Sequence, residues 1–336
     1  MTTSGRSSQF CLPPVMHTTD GRVRRAGFEF EFAGPDIKTS ARIVGDVFGG
    51  EHLVRSTFEH IVRTDLGDFS VEIDASLLKD KKYEKPLRAI GIDPDKTDTE
   101  WLEKALLDTF STLVPIEIGT PPIPIDQLDR LDDLRERLQA ARAKGTRASI
   151  LYAFGFHINP ELPTDDAGVI RDFLRAFLLL YPWMKERAEV DLTRRVSPYI
   201  NAFPDEYARL ILQADYPASR QRLIDDYLEH NPTRNRPLDM LPVLAHLDDA
   251  RVMSRVEDPH LVKPRPAFHY RLPNCMLDEA DWRVAHEWNT WVAVERLAND
   301  PRLLAEMSRE YLDADRKSFK PFVDKWPALL EGYIEA

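Results

Sequence analysis

Acidic side chains alternate with apolar ones in several short segments of the chain. Residues 28–32 read Phe-Glu-Phe-Glu-Phe, so a β-strand here would turn three aromatic rings to one side and Glu29 and Glu31 to the other. Residues 69–74, 116–118, 154–159 and 268–272 alternate in the same way. If these five predicted strands share a sheet, its polar face collects these side chains: Glu29, Glu31, Glu72, Asp74, Glu117, His157, Asn159, His269 and Arg271.

The predominance of acids on this face predicts a divalent-cation site. Like charges on neighbouring strands repel by about 0.2–1 kcal/mol for each cross-strand pair. No lysine occupies these positions to relieve the repulsion. Carboxylate oxygens suit Mg²⁺ or Mn²⁺, and Mn²⁺ accepts an imidazole nitrogen more readily. A second interpretation stays open, because the solvated side of an ordinary antiparallel sheet is also polar.

Five motifs, taken in order, resemble the amidoligase family, a branch of the carboxylate–amine ligase superfamily that includes glutamine synthetase and glutamate–cysteine ligase. They are residues 27–32 (Gly-Phe-Glu-Phe-Glu-Phe), 74–76 (Asp-Ala-Ser), 117–122 (Glu-Ile-Gly-Thr-Pro-Pro), 155–159 (Gly-Phe-His-Ile-Asn) and 270–271 (Tyr-Arg). Each motif is short, so the resemblance depends on their order and spacing, which extend over residues 27–273.

The resemblance implies an α+β fold, with a curved antiparallel sheet that forms a glutamine synthetase-like half-barrel backed by helices. It also implies ATP in the concavity, bound through two divalent cations, Mg²⁺ or Mn²⁺. By motif position it implies four metal ligands: Glu29, Glu31, Glu117 and His157. It places Asp74 near the metals or the amine substrate, and Arg271 near the transferred phosphate or the substrate carboxylate. Relatives carry an acid where this chain has His269, which implies an altered ligand set or a different substrate.

The implied reaction joins a carboxylate to an amine. A carboxylate is a poor acyl donor, and phosphoryl transfer from ATP would convert it into an acyl phosphate that the amine attacks. Such a transfer needs in-line positioning and neutralised phosphate charge, which divalent cations supply. Asp74 or Glu72 would accept the proton that the amine loses. The resemblance implies amino acids, peptides or cell-wall fragments as substrates.

Other polar groups are candidates for nucleotide or substrate binding. Arg271 offers a planar fork that matches phosphate or carboxylate oxygens. Arg265 and Lys263, in a Lys-Pro-Arg-Pro segment, and Asn159 on the polar face are further candidates, although Arg265 also fits a surface loop. Two other functions stay open, namely a metal-dependent hydrolase and a non-catalytic binding protein on the same scaffold.

The chain is predicted to form one catalytic domain behind a short arm. Residues 1–25 contain Pro13, Pro14 and many small polar groups, which predict a flexible or loosely docked arm. Residues 26–336 contain no convincing linker, and residues 274–336 are predicted to form a helical C-terminal part. Helices are expected at residues 98–113, 126–144, 166–181, 206–213, 219–230 and 278–299, and a loop at residues 79–98. Asp126 is the expected N-cap of the second helix and Pro182 the expected stop of the third.

Composition narrows the partners and the compartment. The chain has 336 residues and a net charge of −11, which argues against sequence-independent nucleic-acid binding because such binding needs a basic surface. Its two cysteines, Cys11 and Cys275, are far apart and form no metal or disulfide motif, so a reducing compartment fits best. The polar start lacks a signal-like apolar stretch. We therefore expect a soluble, cytoplasmic protein without a membrane or nucleic-acid partner that acts on small-molecule or peptide carboxylate and amine substrates.

Overall fold

A computed structural model describes residues 9–73, 115–146, 154–187 and 201–313. The described residues form one antiparallel sheet of nine strands together with nine α-helices. The predicted α+β class is therefore confirmed. The predicted strand ending at residue 74 lies inside the described part except for Asp74 itself, and the predicted loop at 79–98 and helix at 98–113 lie outside it.

The sheet is built from short strands in the order β2-β3-β4-β5-β1-β7-β9-β8, and β6 pairs with one end of β1. Their bounds are Arg25–Phe32 (β1), Glu51–Ser56 (β2), Glu59–Thr64 (β3), Gly67–Ile73 (β4), Ile116–Gly119 (β5), Ile123–Pro124 (β6), Phe156–Pro160 (β7), Leu238–Asp239 (β8) and His269–Tyr270 (β9). All neighbouring strands are antiparallel. The sheet does not close into a barrel, and the half-barrel curvature stays a prediction.

Most of the α-helices follow β7 in the sequence. Their bounds are Ile37–Phe48 (α1), Arg130–Ala140 (α2), Ala167–Arg187 (α3), Asp205–Ile211 (α4), Arg220–His230 (α5), Leu241–Leu247 (α6), Asp249–Met253 (α7), Val284–Ala298 (α8) and Pro301–Asp313 (α9). Ser219 caps α5 by accepting a hydrogen bond from the Arg222 amide, as its position before the helix predicts. Among the described residues, no helix is both long and apolar enough to cross a bilayer.

The apolar side of the sheet is the centre of the hydrophobic core. Phe28, Phe30 and Phe32 of β1 are fully buried, as the alternating pattern predicts. Phe156 packs edge-on against Trp282, with their ring centroids 5.3 Å apart. Helices α3 and α8 pack against each other, and α2 packs on α1 and α8. The aromatic and leucine side chains therefore hold the sheet's apolar side, and its other side remains available for polar groups.

Proline 182 does not end α3, and the predicted end of this helix at residue 181 is wrong. The helix runs through Pro182 to Arg187. A proline inside a helix removes one hydrogen bond and costs about 3 kcal/mol or more. The turn that follows it buries Trp183 and Met184, which are 4% and 0% exposed. Burial of two large side chains, worth about 1.5–3 kcal/mol each, offsets the cost.

Other predicted boundaries are too wide, and several elements were missed. The helix expected over 126–144 covers only Arg130–Ala140, and Asp126 lies before its start and does not cap it. The helix expected over 278–299 begins only at Val284, because residues before it form turns. Helices α1, α6 and α7 and the β2–β3 hairpin were not predicted.

Residues 9–25 of the predicted arm contact the rest of the fold. The amide of Cys11 donates to Asn289 Oδ1 at 2.8 Å, and Trp288 Nε1 donates to the Cys11 carbonyl at 2.8 Å. Arg24 forms a buried ion pair with Glu295 of α8. This segment is therefore docked on α8, and it brings Arg22 and Arg25 beside the sheet.

Candidate metal centre and cleft

Three glutamates lie in one row across the middle of the sheet. In the strand register Glu31 of β1 is opposite Glu117 of β5, and Glu117 is opposite Glu72 of β4. Directly opposed side chains on one face have Cβ atoms about 4.5–5.5 Å apart, so their carboxylates lie within range of mutual repulsion. The row therefore concentrates negative charge on the polar face, as the alternating acids predicted.

Glu29 lies at the centre of a second group, one step along β1. Its Oε2 lies 2.7 Å from His157 Nδ1 of β7, and its Oε1 accepts a hydrogen bond from Asn159 Nδ2 at 2.9 Å. The Nε2 of His269 in β9 lies 3.6 Å from the same Oε2. These side chains come together because β1 pairs with β7 and β7 pairs with β9. Glu29 and His269 are 240 residues apart in the sequence.

Glu29, His157 and His269 form a cluster that fits a metal ion. Each offers one ligand atom, and these atoms all lie within 4.8 Å of one another. A cation with ligand bonds of about 2.1 Å holds neighbouring ligand atoms about 3.0–3.5 Å apart. The side chains would therefore close in around an ion, by up to about 1.3 Å at the widest separation. Glu31 is adjacent, with its Oε1 3.9 Å from His157 Nε2.

Burial and hydrogen bonding set the charge state of the cluster. Burial raises the pKa of the Glu29 carboxyl, but the hydrogen bond with His157 and the nearby ring of His269 outweigh it and hold this pKa well below its usual range. Burial lowers the pKa of His157, and the opposing effect of Glu29 does not reverse this. A carboxylate beside a neutral imidazole is the state that binds a cation, because metal ligands must be deprotonated.

His269 has ring nitrogens without a conventional hydrogen bond. The side chain is 3% exposed, and within the described part of the chain neither Nδ1 nor Nε2 has a hydrogen-bond partner. Its Nδ1 lies 3.6 Å from Asp239 Oδ2, and Asp239 is fully buried on β8. Buried polar atoms are almost always satisfied, so a buried imidazole in this position beside a carboxylate is one that could hold a metal ion. The sequence predicted His269 only as a departure, and the structure places it inside the cluster.

Gly155 makes room for the cluster at the start of β7. A Cβ atom at this position would lie 2.7 Å from His157 Nε2 and 3.4 Å from Glu31 Oε2. The Gly155 amide also donates to Glu31 Oε2 at 2.7 Å, which fixes that carboxylate. Only glycine therefore lets the backbone approach both side chains so closely.

We expect Gly155→Ala to weaken divalent-cation binding about 10–100-fold, the range for a displaced supporting contact. The buried His157 ring must move to admit the methyl group. Gly45→Ala on α1 is the matched control, since its Cβ would make only an ordinary van der Waals contact, 3.9 Å from Val62 Cγ1. Calorimetric titration with Mn²⁺ measures both variants. Equal losses in the two would show that Gly155 has no special role at the cluster.

A cleft of about 530 Å³ adjoins the cluster on the same face of the sheet. Glu29, Asn159 and Glu117 form part of its lining. Its other lining includes three arginines, Arg22, Arg25 and Arg265. The carboxylate of Glu161 helps to position two of these arginines. It accepts hydrogen bonds from Arg22 Nη2 at 3.1 Å and from the Arg25 backbone amide at 2.9 Å. The cleft therefore has an acidic wall beside the cluster and a group of guanidinium ions elsewhere in its lining.

The sequence of this chain matches one family over most of its length. The model of a family described as "putative amidoligase enzyme" matches residues 22–293, which contain every element of the cluster and the cleft. The chain belongs to the amidoligase family. No curated protein and no solved structure matches it significantly. The resemblance predicted from the motifs is thus confirmed, and the chain is an amide-bond-forming ligase in the general sense of that family.

The amidoligase fold brings some predicted site residues together and separates others. Glu29, Glu31, His157 and Asn159 lie together, and Glu117 lies opposite Glu31 in the register. Glu72 extends the acidic row and is exposed. Asp74, the predicted proton acceptor, lies outside the described residues.

The predicted cationic groups of the amidoligase divide in a similar way. Arg265 lines the cleft, whereas Lys263 is exposed and is not part of the lining. Arg271 follows β9, close enough to His157 for its charge to lower the pKa of that ring, and its Nη1 donates to the Arg234 carbonyl at 2.7 Å. Sequence reasoning missed Arg22, Arg25 and Asp239, because nothing local shows that the arm docks or that a two-residue strand carries an acid to His269.

Proposed function

We propose that this amidoligase is an ATP- and divalent-metal-dependent ligase that joins the carboxylate of an amino acid or peptide to an amine through an acyl-phosphate intermediate. The observation that carries the proposal is the continuity of two features. The Glu29–His157–His269 cluster lies on the same face as a cleft whose lining includes both acids and arginines. A metal–nucleotide site needs both features next to each other.

The acids of the polar face would hold the cations. Glu29, His157 and His269 would hold one ion, which the closeness of their ligand atoms supports. Glu31 and the opposed Glu117 are the nearest groups for a second ion, since the register sets them side by side. Bound divalent cations neutralise the charge of the nucleotide phosphates and polarise the phosphoryl group that is transferred. The residues themselves supply the negative charge that makes a cation pair favourable here.

The arginines of the cleft would hold the anionic reactants. Arg265 is half-buried, and its Nε has no hydrogen-bond partner in the described part of the chain. This N–H group could therefore donate to a carboxylate or phosphate oxygen of a reactant. Arg22 is held by Glu161 and Asp20, which reduces the freedom that it would lose on binding. Arg271 lies close enough to His157 for its positive charge to act on that ring. The guanidinium ions would thus orient the acid to be activated.

An acceptor is needed for the proton that the amine loses on attack. Glu72 lies in the acidic row, and its exposure leaves it accessible to an amine that enters from solvent. Asp74 follows in the chain and remains the second candidate for this role. A carboxylate in either position would act as the general base.

The proposal is tested by calorimetric titration with a non-hydrolysable ATP analogue, with and without Mg²⁺ or Mn²⁺. Binding is expected only with a divalent cation. It should be lost in Glu31→Ala, which removes a cation-side carboxylate, and weakened at least about tenfold in Arg265→Ala, the cost of one charge-assisted contact. Arg63→Ala, on an exposed part of β3, is the matched control and should bind normally.

The outcomes separate the candidate functions. Metal-dependent binding justifies a screen of acid and amine pairs for release of ADP. A folded protein that binds cations but no nucleotide would overturn the ligase proposal and favour a metal-dependent hydrolase. A folded protein that binds neither would favour a non-catalytic scaffold.

A further inference from the structure

We propose that the cluster is a Glu–His–His centre that selects a nitrogen-accepting cation such as Mn²⁺ over Mg²⁺, with His269 as a metal ligand and Asp239 as the positioning residue that orients it. This inference deepens the proposed metal dependence and rests on it. It concerns only the chemistry of the side chains around Glu29.

The donor set itself distinguishes between cations. Two imidazoles and one carboxylate surround the candidate position. Mg²⁺ demands oxygen ligands and gives up its waters reluctantly, whereas Mn²⁺ and the later divalent metals accept imidazole nitrogen. A centre of carboxylates alone would have no such preference for a nitrogen-accepting ion. The replacement of an acid by His269 would therefore change which metal binds.

The environment of His269 is that of a ligand. The side chain is 3% exposed and lies with its Nε2 3.6 Å from Glu29 Oε2. Its ring is packed edge-to-face against the ring of His157, with centroids 5.3 Å apart and planes 80° apart. Within the described residues, neither ring nitrogen has a hydrogen bond. A buried polar group without a hydrogen bond is costly in free energy unless it interacts with another partner. A cation between Glu29 and the two rings would satisfy Nε2.

Asp239 accounts for the other nitrogen. It is fully buried, and its Oδ1 accepts a hydrogen bond from the Leu241 amide at 3.0 Å, which fixes the carboxyl group. Its Oδ2 has no hydrogen bond and lies 3.6 Å from His269 Nδ1, with Arg234 Nε also 3.6 Å away. A slight rotation of the ring would let Nδ1–H donate to Oδ2. The tautomer thus fixed leaves the Nε2 lone pair facing Glu29, as in carboxylate–histidine–metal triads.

The test is calorimetric titration of the full-length, metal-free protein with Mn²⁺ and, separately, with Mg²⁺, in the absence of nucleotide. The wild-type chain is expected to bind Mn²⁺ at least about 100-fold more tightly than Mg²⁺. His269→Asp should reduce that preference at least about tenfold, because an oxygen ligand replaces a nitrogen. Asp239→Asn should weaken Mn²⁺ binding about 10–100-fold, the range for loss of a supporting carboxylate.

Two controls account for histidines elsewhere. His52→Asn removes one ring of the His52–His60 pair, whose nitrogens are 3.0 Å apart and offer a rival site for transition metals. His260→Asp introduces the same charge at an exposed position. Both should keep the wild-type preference. Pulsed electron paramagnetic resonance of bound Mn²⁺ should show coupling to two imidazole nitrogens, reduced to one in His269→Asp.

Equal affinities for Mn²⁺ and Mg²⁺, or an unchanged preference in His269→Asp, would overturn the inference. So would nitrogen coupling that persists in full after the substitution. Failure of the proposed function is distinguishable, because cation binding is measured without nucleotide. A protein that prefers Mn²⁺ but never binds ATP analogues would support this inference and refute the proposed ligase. A ligase that binds Mg²⁺ as tightly as Mn²⁺ would refute this inference and support the proposed function.

Discussion

Glu29→Gln is expected to remove divalent-cation binding, with an affinity loss of at least about a hundredfold, and to lower ligase turnover about a thousandfold or more. Glutamine keeps the size of glutamate but has no charge. Glu29 contacts His157, Asn159 and His269, so it links three neighbouring side chains of the site. Without its negative charge, the two imidazoles would have to hold a divalent cation without the carboxylate that they both approach.

The measurement combines Mn²⁺ calorimetry with ADP release on the acid and amine pair identified by screening. Glu51→Gln on β2 is the matched control, because Glu51 is exposed and lies at the edge strand of the sheet, away from the cluster. Circular dichroism should show the same secondary structure for both variants. Cation binding unchanged in Glu29→Gln would place the ion elsewhere and remove the basis of the proposed site.

The composition of the polar face could be predicted because side-chain direction in a strand has a period of two. Once residues 28–32 and 154–159 are taken as strands, Glu29, Glu31, His157 and Asn159 must share the face opposite the phenylalanines. The structure places them so, and the phenylalanines are buried. Local alternation therefore carries the identity of the face, and it needs no knowledge of the neighbouring strands.

The arrangement within the face could not be predicted, because register and strand order depend on contacts between distant parts of the chain. Asp239 reaches His269 only through the pairing of the two-residue strands β8 and β9, and β8 is too short to show an alternation of its own. From the sequence, His269 is only a departure from the acid that relatives carry. In the structure it is buried and lies beside Glu29. A two-residue strand leaves too few residues to show a pattern.

Helix α1 was missed although its sequence contains the signals that specify it. Asp36 caps the helix by accepting from the Thr39 amide at 2.7 Å, and Ile37, Ala41, Val44 and Phe48 follow at helical spacing. The docking of residues 9–25 is different, because it depends on Arg24 finding Glu295 at a distance of 271 residues.

Glu295→Gln is expected to destabilise the fold by about 3–5 kcal/mol, the cost of leaving one member of a buried ion pair without its partner. Arg24 and Glu295 are 1% and 0% exposed. The pair is bidentate, with Nη1 2.7 Å from Oε2 and Nη2 2.9 Å from Oε1. Trp291 Nε1 also donates to Glu295 Oε1 at 2.7 Å, so the carboxylate has three hydrogen bonds.

Arg24 joins the docked arm, the end of β7 and helix α8. It donates to the Val15 carbonyl at 2.8 Å and to the Glu161 carbonyl at 2.9 and 2.6 Å. The side chain of the same Glu161 orients Arg22 and the Arg25 backbone in the cleft. Loss of the ion pair should therefore make Arg22 and Arg25 less well positioned in the cleft, in addition to destabilising the fold. We expect Glu295→Gln to bind the ATP analogue more weakly even where the protein remains folded.

Urea unfolding followed by tryptophan fluorescence measures the effect, since Trp291 contacts the pair directly. Asp46→Asn is the matched control, because it breaks the exposed Arg42–Asp46 pair of α1 and should cost less than about 1 kcal/mol. In the double variant Arg24→Met, Glu295→Leu, no buried charge is left unpaired. Its loss should be smaller than the sum of the single losses by at least about 1 kcal/mol. Additive losses would mean that the two charges do not stabilise each other, and that Arg24 acts only through the carbonyls of Val15 and Glu161.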